Sequence, residues 1–275
     1  MTLSTTTTRL PREDQARVFL VGVAHGTTHW SKSVVFVLLP AIREDFSLSY
    51  TDIGLFGSIY YLGGLVANMA FGPLVDITGR REFFQVVSLL LLALAMAMMG
   101  MSSSYIEFLA MAILIAAGSN LWHPGAIPYL SARYKGQRGY VLSIHSFWSN
   151  VGDSAAPAVA GAMLSGWFIL EFTWRETVLW NIAPILIVLP FIVFFVLLEP
   201  QPDTQRKQRG MALRPYFIGL WAQIKSPIVI GLSVVSGFRS AAQSGLRLFL
   251  PVYMVDTAGL PLVYAGLALM ALNVG

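Results

Sequence analysis

The chain contains no cysteine among its 275 residues. Disulfides, thiolate nucleophiles and thiolate metal sites are thereby excluded. Charge is scarce too: 12% of residues are Asp, Glu, Lys or Arg, about half of what a soluble domain carries. There is no Gly-x-x-x-x-Gly-Lys-Ser/Thr loop and no polar stretch large enough to build a nucleotide-binding domain. ATP chemistry is excluded, no enzyme activity is expected, and energy would have to come from an ion or solute gradient. Alternating segments of ~10 residues, the mark of a transmembrane barrel, are missing as well. No small-residue cleavage motif follows the Thr-rich residues 1–17, which carry Arg9, Arg12 and Arg17. They read as a retained cytoplasmic tail ahead of a signal-anchor.

What is there is apolar surface: 56% of the residues are hydrophobic. A soluble core could not bury so much without leaving large exposed patches. Apolar runs recur at about 18–40, 53–72, 83–101, 105–128, 139–164, 177–198, 228–254 and 261–275. Each is about long enough to cross ~30 Å of hydrocarbon at ~1.5 Å per residue. The fold class is therefore all-α, a polytopic transmembrane helical bundle lying in a lipid bilayer.

The net charge of +4 and pI near 9.4 would hint at nucleic acid in a soluble protein. Here the basic residues sit between apolar runs, so they set topology and no nucleic-acid partner is expected. With the N-terminus inside, thirteen Lys and Arg fall on inner segments, including Arg80, Arg81, Arg133, Arg138 and the group Arg206, Lys207 and Arg209. Only Arg43 and Arg175 fall outside. That asymmetry predicts a cytoplasmic N-terminus.

Ionisable residues inside spans are costly in lipid, so each is a functional candidate. The first run holds His25, His29 and Lys32, spaced i, i+4, i+7 on one helix face. The fifth holds His145, Ser149 and Asp153, and the seventh Arg239, Gln243 and Arg247, each at i, i+4, i+8. The fourth holds Asn120 and His123, followed by Pro124. Counting from inner ends near residues 18, 139 and 227 puts Lys32, Asp153 and Arg239 at one level, roughly 18–21 Å up. A Lys–Asp or Arg–Asp pair there would make the charges tolerable. Three cations against one anion leave the cavity positive, which favours an anionic or drug-like organic solute. His25 and His29 could share a metal or haem. With no carboxylate or cysteine beside them they read better as lining a wet cavity, so no metal and no cofactor are expected. Asp153 and the histidines are the candidate proton carriers.

Between the second and third runs lies Phe71-Gly72-Pro73-Leu74-Val75-Asp76-Ile77-Thr78-Gly79-Arg80-Arg81. Gly72 and Pro73 are expected to end one helix, and Arg80 and Arg81 to anchor the next. Gly-x-x-x-Asp-x-x-Gly-Arg-Arg resembles the signature between helices 2 and 3 of major facilitator superfamily transporters, with Ile77 where the family usually has a basic residue. Gly152-Asp153-Ser154-Ala155-Ala156-Pro157 with Gly161 resembles the Gly/Pro-rich helix 5 motif of the family's exporters. Trp122-His123-Pro124-Gly125-Ala126, with Arg138-Gly139, is similar to the fosmidomycin-resistance-type efflux subgroup. The family's helix 4 arginine is replaced by Leu114.

The resemblance implies a secondary transporter working by alternating access as a monomer in a bacterial inner membrane; its helix 5 motif leans towards efflux or antiport, while the basic cavity suits uptake or exchange of an organic anion. It implies a gate built from Gly72, Asp76, Gly79, Arg80 and Arg81. Solute contact is expected at His25, His29, Lys32, His123, Arg239 and Gln243, and coupling, with protons as the candidate ion, at Asp153. The domains would be a tail (1–17), a six-helix half (18–198), a central loop (199–226) with Pro200 and Pro202, and the start of a second half (227–275). An apolar run stopping at Gly275 would leave carbonyls unsatisfied in lipid, so the sequence reads as a piece of a twelve-helix protein. Two other classes stay open: a membrane redox or haem protein, and a non-transporting membrane partner.

Overall fold

The structure, a computed structural model, describes residues 10–167, 170–198 and 213–274. Arg9, Pro200, Pro202, Arg206, Lys207, Arg209 and Gly275 lie outside the described residues, as do most of the tail and the first part of the central loop. Among the described residues there is no strand. The helices are α1 (Arg12–Asp45), α2 (Tyr50–Thr78), α3 (Arg81–Gly100), α4 (Tyr105–Arg133) and α5 (Arg138–Leu164). They continue with α6 (Trp174–Trp180), α7 (Ala183–Leu198), α8 (Leu213–Ile224), α9 (Pro227–Val252) and α10 (Leu262–Val274).

The first five apolar runs each form one helix. The sixth is divided into α6 and α7 by a turn at Asn181, yet Trp174–Phe195 is long and apolar enough to serve as a single span. Two expectations are corrected. Gly72 and Pro73 do not end a helix: α2 runs through them to Thr78 and stops at Gly79, whose φ of 63° is the left-handed C-cap. Proline removes one backbone donor, which a helix packed among others tolerates. Nor is 199–226 wholly a loop, because α8 occupies its second part and joins α9 at a 71° bend.

The helix starts on the Arg43 side are chemically capped. Ser49 with Asp52 and Thr173 with Glu176 form capping boxes, and the Ser104 side chain accepts from the Glu107 amide. These polar ends satisfy amides that have no intrahelical partner.

Packing is organised by glycine. A Cβ at Gly152 would collide with the Gly26 carbonyl, and one at Gly26 would lie 2.8 Å from the Trp148 carbonyl. So α1 and α5 cross backbone to backbone. The α3–α4 pair is drawn together at Gly118 and Gly125, where added Cβ atoms would meet Leu92 and the Arg81 carbonyl at 3.0 and 2.7 Å. The α5–α10 pair meets at Gly161 and Gly266. With no hydrophobic drive between helices in lipid, close approach of this kind supplies the contact.

Candidate functional site: a polar seam between α1, α4 and α5

The Gly26–Gly152 crossing sets side chains of α1 against those of α5 in register. One turn above it, the His29 Nδ1–H donates to Asp153 Oδ2 at 2.8 Å, and the Ser33 hydroxyl donates to Asp153 Oδ1 at 2.7 Å. The Lys32 ammonium stands 3.6 Å from Asp153 Oδ1. Asp153 is thus held by two hydrogen bonds and an ion pair, the condition on which a buried carboxylate is tolerable. Its side chain is 9% exposed and that of Lys32 is 21% exposed, so Lys32 keeps part of its surface open.

One turn below, His25 stacks face to face on His145 with ring centroids 3.7 Å apart. The His25 Nδ1–H donates to the His145 carbonyl at 2.9 Å. The Trp122 indole N–H of α4 donates to His145 Nε2 at 3.1 Å. His123, the next residue of α4, turns its ring towards His25 and His29, with centroid distances of 5.0 and 6.0 Å. All four histidines of the chain therefore stand in one cluster contiguous with Asp153 and Lys32.

Of the expected solute residues, the seam gathers His25, His29, Lys32 and His123, with Asp153. It does not gather Arg239 or Gln243. Arg239 is exposed and donates to Gln243 Oε1 at 3.3 Å. The cation brought to the seam from α9 is Arg247, which donates to Asn273 Oδ1 at 2.7 Å, while the Asn273 amide donates to the Asp153 carbonyl at 2.9 Å. The expected common level of Arg239 and Lys32 is corrected accordingly. α1 begins at Arg12 and not near residue 18, and the span from Arg12 to Lys32 equals that from Pro227 to Arg247. Asn273, Ser33 and Trp122 carry polar contacts that charge alone did not single out.

Near the end of α2 Asp76 is half-buried, and in the turn that follows Arg80 is exposed. Arg81, at the start of α3, is the cation that acts on Asp76. At the opposite end, Arg43 of α1 pairs with Asp256 in the π-helical turn Tyr253–Thr257 at 2.7 Å. Beside that pair, α2 and α9 border a groove of about 800 Å³ lined by Tyr50, Gly57, Tyr61, Ser244 and Leu248 among others.

The sequence profile of the major facilitator superfamily matches residues 21–275, nearly the whole chain. The chain belongs to this family. As a major facilitator superfamily protein it is similar to the uncharacterized MFS-type transporter YwoD of Bacillus subtilis, 25% identical over 200 residues that cover 70% of this chain and 41% of that one. It is also similar to the probable L-galactonate transporter of Escherichia coli, 26% identical over 163 residues, 58% of this chain and 36% of that one. The chain thus spans less than half the length of these curated relatives. Among solved structures it is similar in fold to a bacterial homolog of the human lysosomal transporter Spinster, in an inward-facing and unoccupied conformation. The TM-score there is 0.68 at 19% identity, over 94% of this chain and 59% of that one. The same homolog in its occupied inward-facing form gives 0.68 at 18% identity. The stretch from Gly72 to Arg81 and the all-helical architecture are the sequence features that point to the family.

Proposed function

We propose that this major facilitator superfamily protein is a secondary active transporter of a small organic solute carrying negative charge, working by alternating access. The observation that carries the proposal is the Lys32–Asp153 pair, with Arg247 tied to the same residue through Asn273. Lys32 faces the Asp153 carboxylate, and Arg247 reaches the Asp153 backbone carbonyl through Asn273, so two cations stand near one carboxylate inside an apolar bundle. The surplus positive charge favours an anion, and a partly open ammonium is available to meet it. One relative is named as a probable transporter of L-galactonate, a carboxylate, which agrees with that sign of charge.

In this reading His29, Lys32 and Arg247 contact the solute first, with His25, His123, Arg239 and Gln243 extending the polar strips of α1, α4 and α9. Asp153 couples occupancy to conformation. An anion that draws Lys32 away leaves the carboxylate to His29 and Ser33, and this changes which helices it holds together. The end of α2 and the turn into α3, with Gly72, Asp76, Gly79, Arg80 and Arg81, gate one face, cytoplasmic by its basic residues, in a bacterial inner membrane. The Arg43–Asp256 pair latches the other. The Gly152–Pro157 stretch argues for export, by antiport against an ion or second solute. Haem finds little support, since His25 and His145 are already stacked on each other at 3.7 Å and leave no slot for a macrocycle between them.

The test is solute-dependent thermal stabilisation of the full-length protein over a panel of organic anions and apolar drugs, followed by flux in proteoliposomes. Lys32→Ala and Arg247→Ala are each expected to abolish flux and stabilisation by the same anions while the protein still reaches the membrane. Unchanged flux in both variants overturns the proposal.

A further inference from the structure

His25, His29 and His123 offer one ring nitrogen each within 4.8 Å of one another. Two of the three have Nδ1 already committed. The His25 Nδ1 meets a backbone carbonyl, and the His29 Nδ1 meets the Asp153 carboxylate. Both acceptors lack a hydrogen, so each Nδ1 carries the proton, and in the neutral ring each Nε2 presents a lone pair. Those two Nε2 atoms are buried and have no hydrogen-bond partner. A buried acceptor left without a donor is unfavourable by itself. A carboxylate or carbonyl behind an imidazole is also the arrangement that orients histidine towards a metal.

Ring placement agrees with a shared ligand. The three rings are mutually near-perpendicular, at 80°, 83° and 80°, with centroids 4.5, 5.0 and 6.0 Å apart. Three imidazoles on one tetrahedral ion, at a metal–nitrogen distance of about 2.0–2.1 Å, would have centroids about 5.2 Å apart. His145 is not part of the set, because its Nε2 already accepts from Trp122. The donor set is three neutral imidazoles with no thiolate, which suits borderline first-row divalent ions and not magnesium or calcium.

We propose that His25, His29 and His123 bind one divalent d-block cation of the zinc class at the junction of α1 and α4, with Asp153 orienting His29 from behind. The proposal departs from the expectation that these histidines hold no metal. It stands independently of the anion-transport reading and makes an opposite demand on Lys32. An anion needs that ammonium, whereas a cation is repelled by it.

The experiment uses the full-length protein, purified through a cleavable affinity tag without histidines and stripped with a chelator. Zn²⁺ binding is measured by competition with a chromophoric chelator, and Co²⁺ loading by visible absorbance. One ion per chain is expected, with the intense d–d bands of four-coordinate Co²⁺ and a rise in unfolding temperature with Zn²⁺ but not Mg²⁺. His123→Gln should lose about a hundredfold or more in affinity, and Asp153→Asn roughly tenfold to a hundredfold. His145→Gln, which can still accept from Trp122, should keep the ion, and Lys32→Met should bind it more tightly. Absence of four-coordinate Co²⁺ bands in the unmutated protein overturns the proposal without reference to any variant. Equal stabilisation by Mg²⁺, or loss of the ion in His145→Gln as complete as in His123→Gln, overturns it too.

Discussion

α1 and α3 make an instructive pair. α3 is apolar enough to qualify as a membrane span on composition alone, as do α2, α4 and Trp174–Phe195, whereas α1 and α5 do not. Yet α1 holds the centre of the bundle, with His25, Thr27, Thr28, Ser31 and Ser33 all buried. α3 leaves Leu90, Leu94 and Met98 exposed on its outer side. In this pair the oil-like helix turns apolar side chains outward while the polar face of the other is enclosed, the reverse of a soluble domain. Lipid is as apolar as leucine, so nothing drives leucine inward. Polar groups, by contrast, must find partners inside.

The comparison breaks most sharply at Asp153. Asp153→Ala removes the partner of Lys32 and His29 and leaves a buried cation, so it should destabilise by about 3–5 kcal/mol, read as a fall in unfolding temperature in detergent. Lys32→Met combined with Asp153→Asn should recover much of that loss. Gly152→Leu tests the crossing itself. Overpacking against the Gly26 backbone should destabilise by roughly 3 kcal/mol, while Gly231→Ala, with nothing near its Cβ position, should be neutral or stabilising by roughly 0.5–1 kcal/mol. Trp122→Phe leaves the His145 Nε2 without its donor and should destabilise by about 1–3 kcal/mol, measured the same way. Arg239→Ala sharpens the contrast from the other side. Its exposed side chain predicts a change within roughly 0.5 kcal/mol, and a larger one would mean that α9 packs more closely than its surface shows.

The span pattern and the family were legible because both rest on local signals: run length, loop charge, and the spacing from Gly72 to Arg81. Which faces met was legible in part. His29, Lys32 and Asp153 share a site because i, i+4 spacing fixes a face, and Gly152 marked a close approach without naming α1 as its partner. The height of each residue was not legible. Lys32 aligns with Arg247 and not Arg239 because polar residues 12–17 belong to α1, where hydropathy puts no helix. Pro73 was misread because a proline's effect depends on the neighbours that surround it. The convergence of His123 on His25 and His29 is a tertiary fact, since α4 carries no periodic cue pointing its histidine at α1.

The crossing of Gly26 over Gly152 bears on how the molecule can move. Two helices in main-chain contact interlock like crossed rods notched at the same point, and neither slides without ejecting the other. α1 and α5 therefore travel as one lever, carrying His25, His29, His145 and Asp153 along unchanged. Any rearrangement that exposes the seam first to one side and then to the other must be taken up elsewhere, as where α9 meets that lever.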